Sequence, residues 1–170
     1  SYLSRIDQQL EQSRQVGGLL ARGKQAIAAG RKEEAQQVLQ ELLALQPNHA
    51  EARTLLNLLQ AGGGAAGGDF YRNLLKTGIK DFFLGNYDQA AATLKNYLSF
   101  SQEKAGLARF FLGAALVSRY YLDRYQSPET LKEGRKNLQK ARGDKTFQLP
   151  PNLRPLLSPK ILQLFEGASG

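Results

Sequence analysis

Apolar residues recur along this chain at spacings of three and four and almost nowhere alternate one by one, which is the period of amphipathic helices. Leu3, Ile6, Leu10 and Val16 predict an opening helix, which Gly17 and Gly18 should break or kink. The pattern resumes from Leu19 to Ala29 and should close at Gly30, because glycine adopts the left-handed conformation that ends a helix. Lys32 to Leu45 predicts a second helix with Ala35, Val38, Leu39, Leu42 and Leu43 on one side, stopped by Gln46-Pro47. Ala50 to Gln60 predicts a third. Residues 61–69, AGGGAAGGD, interrupt the pattern as a flexible linker or long loop. Helices are then expected over Phe70–Leu84, closed by Gly85, over Tyr87–Phe100 and over Gln102–Arg124. Ser127-Pro128 is a start signal, a serine N-cap with proline in the first turn, for a helix reaching about Ala141. The tail LPPNLRPLLSPKILQLFE should run extended as far as Ser158-Pro159, where the same signal opens a short last helix. Strand patterns are nearly absent, so the expected fold class is all-α.

The helices also repeat. Gly23, Gly30, Ala35, Leu39 and Leu42 are separated by seven, five, four and three positions, and so are Gly78, Gly85, Ala90, Leu94 and Tyr97. Small residues at the first and third of these places let two antiparallel helices approach closely. The middle glycine turns the corner, and the larger residues fill the space between helix pairs.

This spacing resembles the tetratricopeptide repeat, a helix–turn–helix unit of about 34 residues. The first copy covers Val16 to His49 and carries Pro47 at the end of its second helix, but has Lys32 where the family usually has an aromatic residue. The second, from Tyr71 to about Lys104, supplies that aromatic as Tyr87 and lacks the proline. A degenerate third begins near Gly106, with Gly113, Gly134, Leu138 and Ala141 in place. Gly134 follows Gly113 by 21 positions, against 12 from Gly23 to Ala35, so a nine-residue insertion lies around Tyr120 to Pro128. Gly23 and Gly78 are 55 residues apart, out of phase with the family period, so the array is interrupted. The resemblance implies helix pairs stacked as a short, interrupted solenoid with a C-terminal capping helix. Residues 1–60 would hold the first helix, one unit and a following helix. The linker would be 61–69. Residues 70–170 would hold the second unit, the third with its insertion, and the Pro-rich tail with its last helix.

By the same resemblance, the chain is expected to be a scaffold or adaptor that binds a partner segment on a concave apolar face. The groove-facing places are Leu75, Ile79, Phe82, Phe83, Phe110 and Val117. A competing expectation is that Phe82 and Phe110 belong to the core. The last helix, through Ile161, Leu162, Leu164 and Phe165, would then cover either this stripe or the open end of the last repeat. The family's carboxylate clamp needs lysine, asparagine and arginine on successive first helices. Only Lys24 fits among Leu20, Lys24, Leu75, Ile79, Phe110 and Ala114, so a clamp for an acidic tail is not expected.

Charge adds a second candidate. The chain has 170 residues and a net charge of +8, and the excess is concentrated. Residues 131–160 hold eight basic side chains and only two acids. Lys132, Arg135, Lys136, Lys140 and Arg142 form a candidate anion-binding face, for nucleic acid, an acidic protein or lipid. Glycine-rich loops and interleaved aromatics of nucleic-acid modules are lacking there, so the favoured partner is another protein or peptide, with self-association open. A nucleic acid or a membrane surface is the less favoured partner.

No enzyme, metal or cofactor is expected. There is no cysteine, and His49, in a Pro47-Asn48-His49 turn, is the one histidine and reads as a solvated polar residue. Gly62-x-Gly64-x-x-Gly67 matches a dinucleotide fingerprint formally, but a helical pattern precedes it where a strand is needed. The chain begins with serine and contains no methionine, as expected of a fragment or a processed chain.

Overall fold

The computed structural model describes residues 2–60, 68–124 and 127–167. Most of the expected linker, residues 61–67, and with it the Gly62-x-Gly64-x-x-Gly67 match, lies outside them. Among the described residues every regular element is helical: α1 (Tyr2–Ala28), α2 (Lys32–Leu45), α3 (Ala50–Gln60), α4 (Gly68–Phe83), α5 (Tyr87–Phe100), α6 (Ala105–Leu122), α7 (Pro128–Gly143), a 3-10 helix (Pro151–Leu156) and α8 (Pro159–Glu166). The chain divides into two compact units, residues 1–73 and 74–170, with the division inside α4.

In the first unit α1 packs on α2 and α2 on α3, in sequence order. Only the second half of α1 is buried. Val16, Leu19, Gly23, Ala26 and Ile27 meet α2, whose buried face is Ala35, Val38, Leu39 and Leu42. α1 runs unbroken through Gly17 and Gly18, contrary to the expected break. Glycine weakens a helix interior without ending it, and here Val16 and Leu19 hold both sides of the pair against α2. Gly30 closes α1 and turns the corner to α2 with φ +74°, as its sequence position demands.

His49 has a structural job that its sequence context did not reveal. Its Nδ1 accepts a hydrogen bond from the Ala52 N–H at 3.1 Å and so caps the start of α3. Lys24 is tied to Glu51 of α3 by an ion pair of 2.5 Å.

In the second unit α4, α5, α6 and α7 form successive antiparallel neighbours, and α8 returns onto α6 and α7. Gly85 turns the α4–α5 corner with φ +81°. The Tyr97 hydroxyl donates to the Glu103 carbonyl and pins the α5–α6 connection. α6 begins at Ala105, three residues later than expected, because Lys104 sits at φ 54° and interrupts helical geometry.

The glycine spacing corresponds to one recurring contact. A Cβ on Gly23 would stand 3.1 Å from Leu39 Cδ2, and one on Gly78 would stand 2.7 Å from Leu94 Cδ2. In the third pair a Cβ on Gly113 would meet Leu138 Cγ at 2.8 Å and the Gly134 carbonyl at 2.7 Å. Gly23, Gly78 and Gly113 occupy equivalent places, as do Leu39, Leu94 and Leu138. Each helix pair therefore closes until a leucine fills the space that a side chain would need.

α6 is the most buried helix, from Ala105 to Val117 on nearly every side. Its Phe110 meets Phe165 of α8, with ring centroids 5.0 Å apart, and Phe147 of the α7–α8 connection at 5.9 Å. The tail is not extended throughout: residues 151–156 wind into a 3-10 helix, started by Pro151, whose missing N–H costs nothing in a first turn. Ser158 then caps α8, its side chain accepting from Ile161 N–H at 3.3 Å. Ser127 occupies the corresponding place before α7 but makes no side-chain cap bond.

Candidate partner-binding surface

α7 is a helix with one narrow buried seam. Gly134, Leu138 and Ala141 face the core, and apart from Pro128 and Leu131 the rest of its surface is mostly polar. Lys132, Arg135, Lys136 and Lys140 are all exposed on it. Three of them, with Gln139, line a cleft of about 460 Å³ whose other walls are Tyr120 of α6 and Pro128 and Leu131 of α7. Tyr120 and Leu131 are half-buried and form an apolar floor, while the cations form one rim.

This cleft lies where the repeat pattern is broken. Relative to the first two helix pairs, α6 continues four residues further past its glycine and α7 begins three residues earlier, with a connection two residues longer. Those nine positions are the insertion. They extend both helices beyond the glycine contact and add Tyr120 on one side and Pro128 on the other, next to Leu131, which holds the place of Lys32 and Tyr87.

The charge of the cleft is not balanced by its own chain. Glu133, the acid among the α7 cations, is drawn to Lys95 of α5 at 2.9 Å. Asp123 and Asp88 are both engaged by Arg119, at 3.7 and 2.7 Å. Among the described residues, no carboxylate pairs with Lys132, Arg135, Lys136 or Lys140. Arg142 belongs elsewhere: its guanidinium packs over Gly167, at the C-terminal end of α8, where helix carbonyls favour a cation. Arg154 pairs with Glu166, and Lys160 lies over the Tyr121 ring, 5.7 Å from its centroid. The basic stretch thus separates into cations spent on holding the tail and a free row on α7.

The apolar stripe expected as a groove is largely core. Phe110 and Val117 are fully buried, and Leu75 and Phe82 nearly so. Phe110 is covered by Phe165 and Phe147, and Phe82 by Phe111 and Tyr87. Ile79 is half-buried, and Phe83 alone of the six is exposed, at 43%. The tail helix covers the end formed by α6 and α7, the second of the two acceptors expected for it. Lys24, the one residue compatible with a carboxylate clamp, is already engaged by Glu51.

Two other surfaces bear on the choice. A cleft of about 540 Å³ along residues 85–89 is closed by Arg119 and Leu122, but its arginine is neutralised by Asp88. In the first unit a cleft of about 690 Å³ between α1 and α2 carries one base and one acid, Arg22 and Glu41. Neither has the charge asymmetry of the α6–α7 cleft. Asp144, at the end of α7, is held below its ordinary pKa of 3.8 by hydrogen bonds from the Thr146 hydroxyl and N–H, with the Gly106 N–H contributing. Burial pushes Asp81 above the same value, against a hydrogen bond from Asn86. Asp144 ties down the turn after α7, and Asp81 lies in the last turn of α4.

Among the described residues no group of three or more histidine, aspartate or glutamate side chains could hold a metal ion, and no helix is long and apolar enough to cross a membrane. Comparison with protein-family models, with characterised proteins and with solved structures finds no match to this chain.

The cations of this surface were legible in the sequence. Tyr120, Pro128, Leu131 and Gln139 were not singled out as binding residues, although the nine-residue insertion that includes the first two was.

Proposed function

We propose that this chain is a protein-interaction module of the tetratricopeptide-like kind, a scaffold or adaptor that binds a segment of a partner protein. The observation that carries this reading is the recurrence of one glycine–leucine contact at equivalent places in three helix pairs. It supports the family resemblance at the level of packing, and modules of that kind bind proteins. The binding surface in this reading is not the apolar stripe, four of whose six residues are buried in the core. It is the outer surface of α6 and α7 in the second unit.

Photo-crosslinking in cells tests this. A benzophenone amino acid placed singly at Gln37, Phe83, Leu122 or Gln139, all exposed, should trap a discrete protein adduct from at least one position, with Gln139 the expected one. The absence of any protein adduct from all four positions rejects the scaffold reading.

A second reading is favoured by the unpaired cations alone: the same α7 row binds a polyanion such as nucleic acid. That reading requires affinity to fall steeply and linearly on a logarithmic salt scale, with a slope set by the number of phosphates neutralised.

A further inference from the structure

Resting on that interaction reading, we propose that the α6–α7 cleft is a docking site for an acidic segment of a partner protein carrying one aromatic or aliphatic anchor. The anchor enters between Tyr120 and Leu131, and the flanking carboxylates meet Lys132, Lys136 and Arg135.

Charge complementarity names the occupant. Lys132, Lys136 and Lys140 stand at successive i, i+4 places along α7, and Arg135 stands beside them. Like charges at that spacing repel and weaken a helix. Elsewhere a cation is paired by the chain itself, Arg119 by Asp88 and Lys24 by Glu51. Here the one acid within the row, Glu133, turns away to Lys95. The row is thus left for a carboxylate-bearing molecule, and Arg135 can take such a group with two parallel hydrogen bonds.

The floor of the cleft separates a protein from a polynucleotide. Tyr120, Leu131 and Pro128 give it an apolar base, and a volume of about 460 Å³ admits a large side chain. The cationic row is short: from Lys132 to Lys140 it rises only about 12 Å along the helix. That length matches a few carboxylates around one anchor. A nucleic-acid strand would need a longer basic track to hold its phosphates.

The origin of the cleft points the same way. The helix pairs of residues 16–45 and 74–100 close with three-residue turns and have no helical counterpart of Tyr120 or Pro128, while Lys32 and Tyr87 hold the place of Leu131. The extension of α6 and α7 adds little to the buried core, because Tyr121 and Leu122 remain exposed at 45% and 70%. What the addition creates is mostly exposed surface.

The test is fluorescence anisotropy with the full chain and three labelled probes. These are a short peptide of aspartate and glutamate with one central phenylalanine, the same peptide with alanine at the centre, and oligothymidylate of matching length. The phenylalanine peptide should bind tightest, roughly tenfold tighter than the alanine peptide, as expected for one buried aromatic anchor. K132E/R135E/K136E should abolish binding of both peptides while the circular dichroism melt stays unchanged, since these side chains are exposed. Leu131→Ala should remove the advantage of the phenylalanine peptide and leave the alanine peptide unaffected, a split that charge alone cannot produce. Equal binding of the two peptides, tighter binding of oligothymidylate, full binding by the triple variant, or no binding of any probe would each overturn the proposal. A protein adduct trapped from Phe83 or Gln37 alongside such a result would leave the interaction reading standing and remove only the cleft.

Discussion

The ring of Phe165 stands edge-on to that of Phe110, with centroids 5.0 Å apart and an interplanar angle of 85°. One ring comes from α6 and the other from the last turn of α8, the shortest α-helix among the described residues. Eight residues are too few for a helix to persist alone in water, so α8 exists because Ile161 and Phe165 are buried. Phe165→Ala should therefore lower the unfolding free energy by about 3 kcal/mol in urea titrations, within the range for a buried aromatic. Leu156→Ala, at a side chain 64% exposed, should change it by less than about 0.5 kcal/mol. Equal effects of the two substitutions would show that α8 is not docked as described.

The glycines of α1 and α6 should respond to alanine with opposite signs. A Cβ on Gly17 or Gly18 meets nothing within 4 Å, so each substitution should stabilise by about 0.5–1 kcal/mol through helix propensity. A Cβ on Gly113 would stand 2.7 Å from the Gly134 carbonyl oxygen and 2.9 Å from the Leu138 nitrogen. Backbone cannot yield as a side-chain tip can, so Gly113→Ala should destabilise by about 1–3 kcal/mol despite its better propensity. Gly23→Ala, against the movable tip of Leu39, should fall between. Thermal melts of the four variants give the order directly.

His49→Ala should cost about 1 kcal/mol, the usual loss when a helix start loses its side-chain acceptor. His49→Asn and His49→Asp should recover most of it, because both supply an oxygen that can accept from the Ala52 N–H in place of Nδ1. If the asparagine variant is as unstable as the alanine one, the imidazole acts through packing rather than as a cap.

Asp144 makes stability depend on pH in the acid range. Its folded-state pKa lies below 3.8, because the Thr146 hydroxyl and N–H favour the ionised form. Its contribution is therefore complete above the unfolded value and is lost as pH falls through the folded one. In Thr146→Ala the larger of these hydrogen bonds is gone, and the Asp144 carboxyl, followed by nuclear magnetic resonance, should titrate closer to 3.8. An unchanged midpoint would mean that the backbone bonds alone hold it.

The helices were legible because their cause is local. Apolar spacing, Gly30 and Gly85 at the corners, and Pro47 and Pro128 at helix boundaries act within a few residues, and the structure follows them closely. Where the reading failed, a non-local contact had decided. Gly17 and Gly18 look like a break until Val16 and Leu19 are seen packed on α2. His49 is the exception: its bond to the Ala52 N–H spans only three residues, and it was missed because histidine is not among the usual helix-capping residues.

The sequence by itself determined an all-α chain, the places of its glycine contacts and the position of the insertion, since periodicity and chain length carry all three. Which surface stays open was decided only by tertiary structure. Phe110 and Lys136 are equally plain as letters, but burial and ion pairing depend on what arrives from elsewhere in the chain. Phe165 arrives over Phe110, and the nearest acid, Glu133, leaves for Lys95. The apolar stripe is thereby closed and the cationic row on α7 left without a partner, because each outcome depends on residues distant in sequence.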